Sequence, residues 1–134
     1  MKKYVLDASA LFAFLRDSHG ASKVDELLRE ALAERARVLM SAVNHGEVYG
    51  LILRLFGPEQ ALTTVQAVTP LPVEVLDATA ERARKAADVK VKYKLHYTDS
   101  FAAALAIEHQ AKLVTSDSDF RRLGHRFPII WLKS

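Results

Sequence analysis

The sequence predicts an α/β fold with a mainly parallel sheet of about five strands, covered by helices on both faces. Three observations predict it. Short apolar runs such as Tyr4-Val5-Leu6, Val38-Leu39-Met40 and Leu113-Val114 lack polar alternation, as strands buried on both faces do. Segments with helical spacing of apolar residues lie between them, so strand and helix alternate along the chain. Asp7 and Asp117 each follow such a strand, and the carboxyl ends of strands in an open α/β sheet are where ligands bind.

Residues 3–7 read as the first strand. Ser9 is placed to cap a helix over Ala10-Leu11-Phe12-Ala13-Phe14-Leu15. Asp17-Ser18-His19-Gly20 is a turn. An amphipathic helix over about 21–35 follows, with Val24, Leu27, Leu28, Ala31 and Leu32 on its apolar face. Asp25, Glu26, Arg29, Glu30, Glu34 and Arg35 make its solvated face. Residues 38–40 form the second strand. Ala42 to Phe56 is a helix stopped by Gly57-Pro58, and Glu59 to Val68 is another. The third strand falls within 68–75, where Pro70 and Pro72 confine it to an edge. Asp77 to Val89 is helical.

A basic stretch with interleaved aromatics, Lys90 to Tyr97, comes next. Thr98 then caps an Ala-rich helix through His109. Lys112 to Thr115 is the fourth strand. Ser116 to Asp119 is a polar loop opening a short helical turn, and Phe127 to Leu132 is the last strand. With no internal repeat, low-complexity segment or linker, residues 1–134 read as one domain.

The 134 residues, half of them apolar, are enough for a single core. The chain has no cysteine, which removes disulfides and thiolate zinc sites and suits a reducing compartment. No apolar run approaches the roughly 20 residues that span a bilayer. Asp7 breaks the first apolar segment, against a signal peptide. The expectation is a cytoplasmic protein without membrane contact. The net charge of +3 is a weak nucleic-acid signal by itself. It strengthens if several acids gather in one site, because the remaining surface is then more basic.

Four acids are candidates for such a site. Asp7 and Asp117 share one edge of the sheet if strands one and four are neighbours, as the order 3-2-1-4-5 makes them. The gap between those strands is then the topological switch point. Glu47 lies on the helix after strand two, beside a largely apolar stripe with Val43, Asn44, Gly50 and Leu51 one turn away. Asp99 sits in the first turn of the Ala-rich helix. It suits the helix dipole there, but Ala102, Ala103 and Ala106 also let that helix approach the sheet closely. At 4 Å two unit charges repel by about 4 kcal/mol at an effective dielectric near 20. A four-carboxylate cluster therefore needs raised pKa values or bound cations. Oxygen-only ligands suit Mg²⁺ or Mn²⁺, which activate water against a phosphodiester. No GxxxxGK[ST] loop is present, so nucleoside triphosphate hydrolysis is not indicated.

With these positions the chain resembles the PIN-domain ribonucleases, most closely the VapC toxins of toxin–antitoxin pairs. The resemblance rests on Val5-Leu6-Asp7-Ala8-Ser9-Ala10-Leu11, Asn44-His45-Gly46-Glu47-Val48, Thr98-Asp99-Ser100-Phe101-Ala102-Ala103-Ala104 and Leu113-Val114-Thr115-Ser116-Asp117-Ser118-Asp119-Phe120. It covers nearly the whole length. Its one visible departure is His45-Gly46 before Glu47, where a better helix former is common.

The resemblance implies a single α/β/α PIN-like domain and a metal-dependent endoribonuclease inhibited by a cognate VapB-like antitoxin. Asp7, Glu47, Asp99 and Asp117 would bind Mg²⁺ or Mn²⁺, with Asp7 and Asp99 the main ligands. Glu47 and Asp117 would complete the site and position or deprotonate the attacking water. Ser9 and Thr115 would support the carboxylates. Asp119 matches an auxiliary acid, although capping from Phe120 onward is an equal alternative. The family also implies homodimers and supplies RNA as substrate.

For that substrate the sequence offers Lys90, Lys92, Lys94 and His96, with Tyr93 and Tyr97 to stack on unpaired bases. Arg121, Arg122, His125 and Arg126 offer a second basic rim. His19 and His109 read as turn and helix-end residues, and His45 as a neighbour of Glu47. Trp131 reads as a core or edge anchor. Phe12, Phe14, Leu51, Leu55 and Phe56 read as core, or as a groove for a partner helix. Two other classes fit less well. A catalytically silent PIN-like module would bind RNA or protein through the same fold. A phosphatase of another α/β fold would need a second aspartate that Asp7-Ala8-Ser9 lacks.

Overall fold

A computed structural model describes residues 1–132. Five strands form one all-parallel sheet: β1 (Lys2–Leu6), β2 (Ala36–Ser41), β3 (Val73–Leu76), β4 (Lys112–Thr115) and β5 (Ile129–Trp131). Their order is β3-β2-β1-β4-β5, so β1 lies between β2 and β4. Six α-helices connect them: α1 (Ala8–Leu15), α2 (Ala21–Leu32), α3 (Ala42–Phe56), α4 (Pro58–Val68), α5 (Ala80–Tyr93) and α6 (Tyr97–His109). A 3₁₀ helix, Ser118–Leu123, links β4 to β5.

The pleat sorts the strand residues into two cores. Val5, Leu39 and Leu113 face one layer with α5 and α6, including Ala86, Val89, Phe101 and Ala102. Tyr4, Leu6, Val38 and Val114 face the other, against Ala10 of α1 and Val24, Leu27 and Leu28 of α2. Leu11, Met40, Val48, Ile52, Ala61 and Val68 make a third cluster under α3 and α4. The alanines of α6 do what their size permits. Ala102, Ala103 and Ala106 are buried, and the helix lies close over β1, β2 and β4.

Several boundaries differ from the sequence reading, each for a local reason. α1 is capped by Asp7, whose carboxylate accepts from the Ala10 N–H at 2.9 Å; Ser9, expected as the cap, lies inside the first turn. α2 stops at Leu32, which is 68% exposed, because Glu34 turns the chain with a φ of 59°. α5 begins three residues late and continues to Tyr93, where Lys94 takes the left-handed conformation at φ 58°. α6 starts at Tyr97 without a side-chain cap, so Thr98 is a first-turn residue. β5 is only three residues long. Of the apolar residues read as core, Leu55 and Phe56 are exposed. They lie in the last turn of α3, beyond Ile52 on the same side of the helix, where the third cluster has ended. The Arg16 guanidinium covers the Phe56 ring at 4.6 Å.

Candidate active site

Parallel pairing of β1 with β4 sets Leu6 opposite Val114, which brings the next residues, Asp7 and Thr115, together beyond the strand ends. Asp7 is 3% exposed and Thr115 fully buried. The Thr115 hydroxyl donates to Asp7 Oδ2 in a short hydrogen bond, and Ser9 Oγ donates to Oδ1 at 2.7 Å. Ser9 also accepts the Ser116 N–H at 3.0 Å, while Thr115 Oγ1 accepts the Asp117 N–H at 2.9 Å. Two hydroxyls thus tie the Asp7 carboxylate to the loop that carries Asp117.

The other acids arrive on separate elements. Asp7, Glu47 of α3, Asp99 of α6 and Asp117 after β4 line one open cleft of about 490 Å³, with Ser9, Phe12, Gly50, Leu51 and Arg54. Asp99, Asp117 and Asp119 each offer an oxygen within 4.8 Å of the others'. Asp117 caps the 3₁₀ helix by accepting the Asp119 N–H at 2.9 Å. The cap that was an alternative for Asp119 is therefore made by Asp117, which leaves the Asp119 carboxylate beside Asp99.

Among the described residues none of these five carboxylates forms an ion pair within 4.0 Å. Two of them, Asp7 and Asp99, have raised pKa values. Burial pushes Asp7 up to about 6, against hydrogen bonds from Thr115, Ser9 and the Ala10 N–H. Burial also pushes Asp99 to about 6, helped by the charges of Asp117, Glu47 and Asp7, with His96 acting the other way. One buried carboxylate and several half-buried ones, without an ion-pair partner and offering oxygen only, fit a hard divalent cation as donor set.

Arg54 lines this cleft, whereas the basic residues read as RNA contacts are not part of its lining. Lys90 and Lys92 are exposed on the last turn of α5, and Lys94 and His96 on the connection to α6. Lys92 Nζ stands 5.2 Å from the Tyr93 ring centroid. Tyr93 packs against the core; Tyr97 meets Phe101 edge-on at 5.1 Å and donates to the Ala83 carbonyl. Arg122 donates to the Lys94 carbonyl at 2.8 Å, joining the two basic segments, and Arg121 covers Trp131. His45 faces Tyr49, Thr64, Val65 and Val68 between α3 and α4, away from the acids.

Two polar residues in and under the cleft were not singled out by the sequence. Arg54 follows Glu47 by seven positions, two turns along the same helical face. Asn44 precedes Glu47 by three and donates to it at 2.8 Å. Reading polar residues along the Glu47 face of α3 would have found both.

The molecule is an open, parallel α/β sheet with acids gathered at its switch point, the place where such sheets bind ligands. A family model described as PIN domain matches residues 4–126, and the chain belongs to the PIN-domain family. A search of curated proteins finds no match.

Solved structures of similar fold include VapBC2 from Rickettsia felis bound to a DNA fragment from their promoter. That match has a TM-score of 0.75 at 17% identity, covering 98% of this chain and 99% of that one. DNA-bound VapBC from Salmonella typhimurium gives 0.75 at 18%, covering 99% and 100%. The sarcin–ricin loop cleaving toxin VapC20 of Mycobacterium tuberculosis gives 0.66 at 20%, covering 90% and 95%. The fold is therefore VapC-like. Among the described residues no helix is long and apolar enough to cross a membrane.

Proposed function

We propose that the chain is a metal-dependent endoribonuclease, a VapC-like toxin that hydrolyses RNA phosphodiester bonds and is held inactive by a VapB-like antitoxin. One observation carries this reading: four carboxylates from distant segments line one cleft with no cation paired to them. Membership of the PIN family and the VapC-like fold support it, as does a structural relative described as a toxin that cleaves the sarcin–ricin loop.

In this reading Asp7 and Asp99 hold Mg²⁺ or Mn²⁺, and Glu47, Asp117 and Asp119 complete the site directly or through water. When bound, the ion supplies charge to the phosphodiester oxygens and acidifies the attacking water. Glu47 and Asp117 orient that water and accept its proton. Ser9 and Thr115 fix the Asp7 carboxylate through their hydroxyls, so that its lone pairs keep one direction. Lys90, Lys92, Lys94, His96, Arg121 and Arg122 contact the flanking phosphates as a rim, where they draw RNA toward an otherwise repulsive acidic cleft.

The exposed apolar residues Leu53, Leu55 and Phe56 at the end of α3, the last linked through Arg16 to Phe12 of the cleft, suit an antitoxin helix. We further propose a homodimer acting in the cytoplasm, where RNA and antitoxin are both found.

The test is cleavage of structured RNA by the purified chain. It should require Mg²⁺ or Mn²⁺, stop in EDTA, and be lost in Asp7→Asn and Asp99→Asn. Undiminished cleavage by those variants would falsify the assignment. RNA binding that survives both substitutions and EDTA, without cleavage, would identify a silent binding module instead.

A further inference from the structure

Asn44 stands one turn before Glu47 on α3 and is 1% exposed. Its Nδ2 donates to Glu47 Oε1 at 2.8 Å and to the main-chain carbonyl of Thr98 at 3.0 Å. Thr98 immediately precedes Asp99. A single amide therefore spans the two helices that carry Glu47 and Asp99. Both of its partners are acceptors, so the nitrogen end must face them and the oxygen end must face away. That oxygen, Oδ1, is buried without a hydrogen-bond partner among the described residues. An orphaned buried acceptor is a net cost to folding, one that an apolar side chain of the same shape would avoid. Packing alone thus gives no reason for an amide here; the two donated bonds do.

We infer that Asn44 is a positioning residue that fixes the Glu47 carboxylate relative to Asp99, so that both address one bound divalent cation. The inference rests on the metal-site reading above and adds to it a residue that touches neither the ion nor RNA. An amide is suited to the task. It offers two hydrogens in one plane, carries no charge that would compete with the cation, and shares one donor set between a side chain and a fixed main-chain carbonyl. Holding Glu47 in one rotamer removes the freedom it would otherwise lose on binding the ion. A residue serving only to staple α3 to α6 would affect melting temperature and leave cation affinity unchanged. A positioning residue does the reverse.

The experiment uses the full chain with Asn44→Leu and Asn44→Ala. Mn²⁺ binding is measured by titration calorimetry at pH 7.5, melting temperature in EDTA, and kcat and KM on an RNA substrate. Mn²⁺ affinity should fall roughly 10- to 100-fold, and kcat should fall with KM for RNA unchanged. The EDTA melting temperature should stay within a few degrees of wild type, and for Asn44→Leu should equal or exceed it.

A folded variant that binds Mn²⁺ as tightly as wild type overturns the inference alone. A wild-type chain that binds no Mn²⁺ overturns both the inference and the metal-site reading. If neither variant folds, the side-chain ¹⁵N–H₂ resonances of wild-type Asn44 decide. They should shift on saturation with Mg²⁺, and resonances indifferent to Mg²⁺ overturn the inference.

Discussion

Asp7 accepts hydrogen bonds from three donors, the Thr115 and Ser9 hydroxyls and the Ala10 N–H, yet burial still raises its pKa to about 6. Asp99 is raised to about 6 by burial first and then by the charges of Asp117, Glu47 and Asp7. Both groups bind protons in the folded chain at pH values where the unfolded chain has lost them. Their contribution to stability is therefore complete below about pH 4 and is lost as pH rises through 6. In EDTA the contribution of these two groups to the melting temperature should decline from pH 4.5 to 7.5. A profile that rises through this interval, once other titrating groups are accounted for with the double Asn variant, would contradict it. Asp99→Asn removes repulsion without removing volume. It should raise the EDTA melting temperature by a few degrees, on the order of 1 kcal/mol, while reducing RNA cleavage at least 100-fold; a lower melting temperature would show that Asp99 is compensated in a way the geometry does not reveal.

Elements with strong local punctuation were legible and those governed by contacts were less so. α3 runs from Ala42 to Phe56 as read, because Ser41 caps it and Gly57-Pro58 stops it. β3 lies at the sheet edge as expected, but it begins at Val73, so Pro70 and Pro72 precede the strand and do not interrupt it. α5 runs past its expected end because Tyr93 packs against the core and Lys94 can end the helix in the left-handed region, neither of which is marked by Gly or Pro. This puts Lys90 and Lys92 on a helix, with Lys94 at its cap. Replacing all three by Ala should lower the slope of log binding against log salt for single-stranded RNA by about 2 and raise KM with little change in kcat. An unaltered slope would place the RNA elsewhere. The turn between α1 and α2 has its own requirement. Gly20 has φ 92°, and a Cβ there would lie 2.8 Å from Leu132 Cβ. Gly20→Ala should cost about 2–3 kcal/mol, read as a drop in denaturation midpoint. An unchanged midpoint would mean that the turn relaxes freely.

At the scale of the molecule, the sheet order gathers acids separated by up to 110 positions in the chain. It also separates charge. With Asp7, Glu47, Asp99, Asp117 and Asp119 set aside in the cleft region, eleven acids remain against nineteen Lys and Arg, so the surface around the cleft is more basic than the net charge of +3 suggests. Divalent cations should act on the whole fold by mass action. At 100 times its dissociation constant Mn²⁺ should add about 2.7 kcal/mol of stability. The rise in melting temperature should be larger at pH 7.5 than at pH 5, where protons occupy Asp7 and Asp99 and compete with the ion. An equal rise at both pH values would point to cation binding elsewhere.

The sequence by itself determined the succession of strands and helices and the edge position of β3, and it offered four acids as candidates. Those follow from local patterns: uninterrupted apolar runs, helical spacing, Pro and Gly stops, Asp7 and Asp117 just beyond strand ends, and Glu47 and Asp99 on the apolar or small-residue faces of helices. Only the tertiary structure decided how the acids meet. The parallel β1–β4 register brings Asp7 beside Thr115, the 3₁₀ cap made by Asp117 leaves Asp119 next to Asp99, and the Asn44 amide bridges α3 to α6. In the sequence Asn44 belongs to a largely apolar stripe, and nothing local marks a side chain whose partner lies 54 residues away. The physical reason is range. Periodicity reports which face of an element is buried, whereas register, crossover and cross-helix hydrogen bonds depend on what the other side of the core supplies.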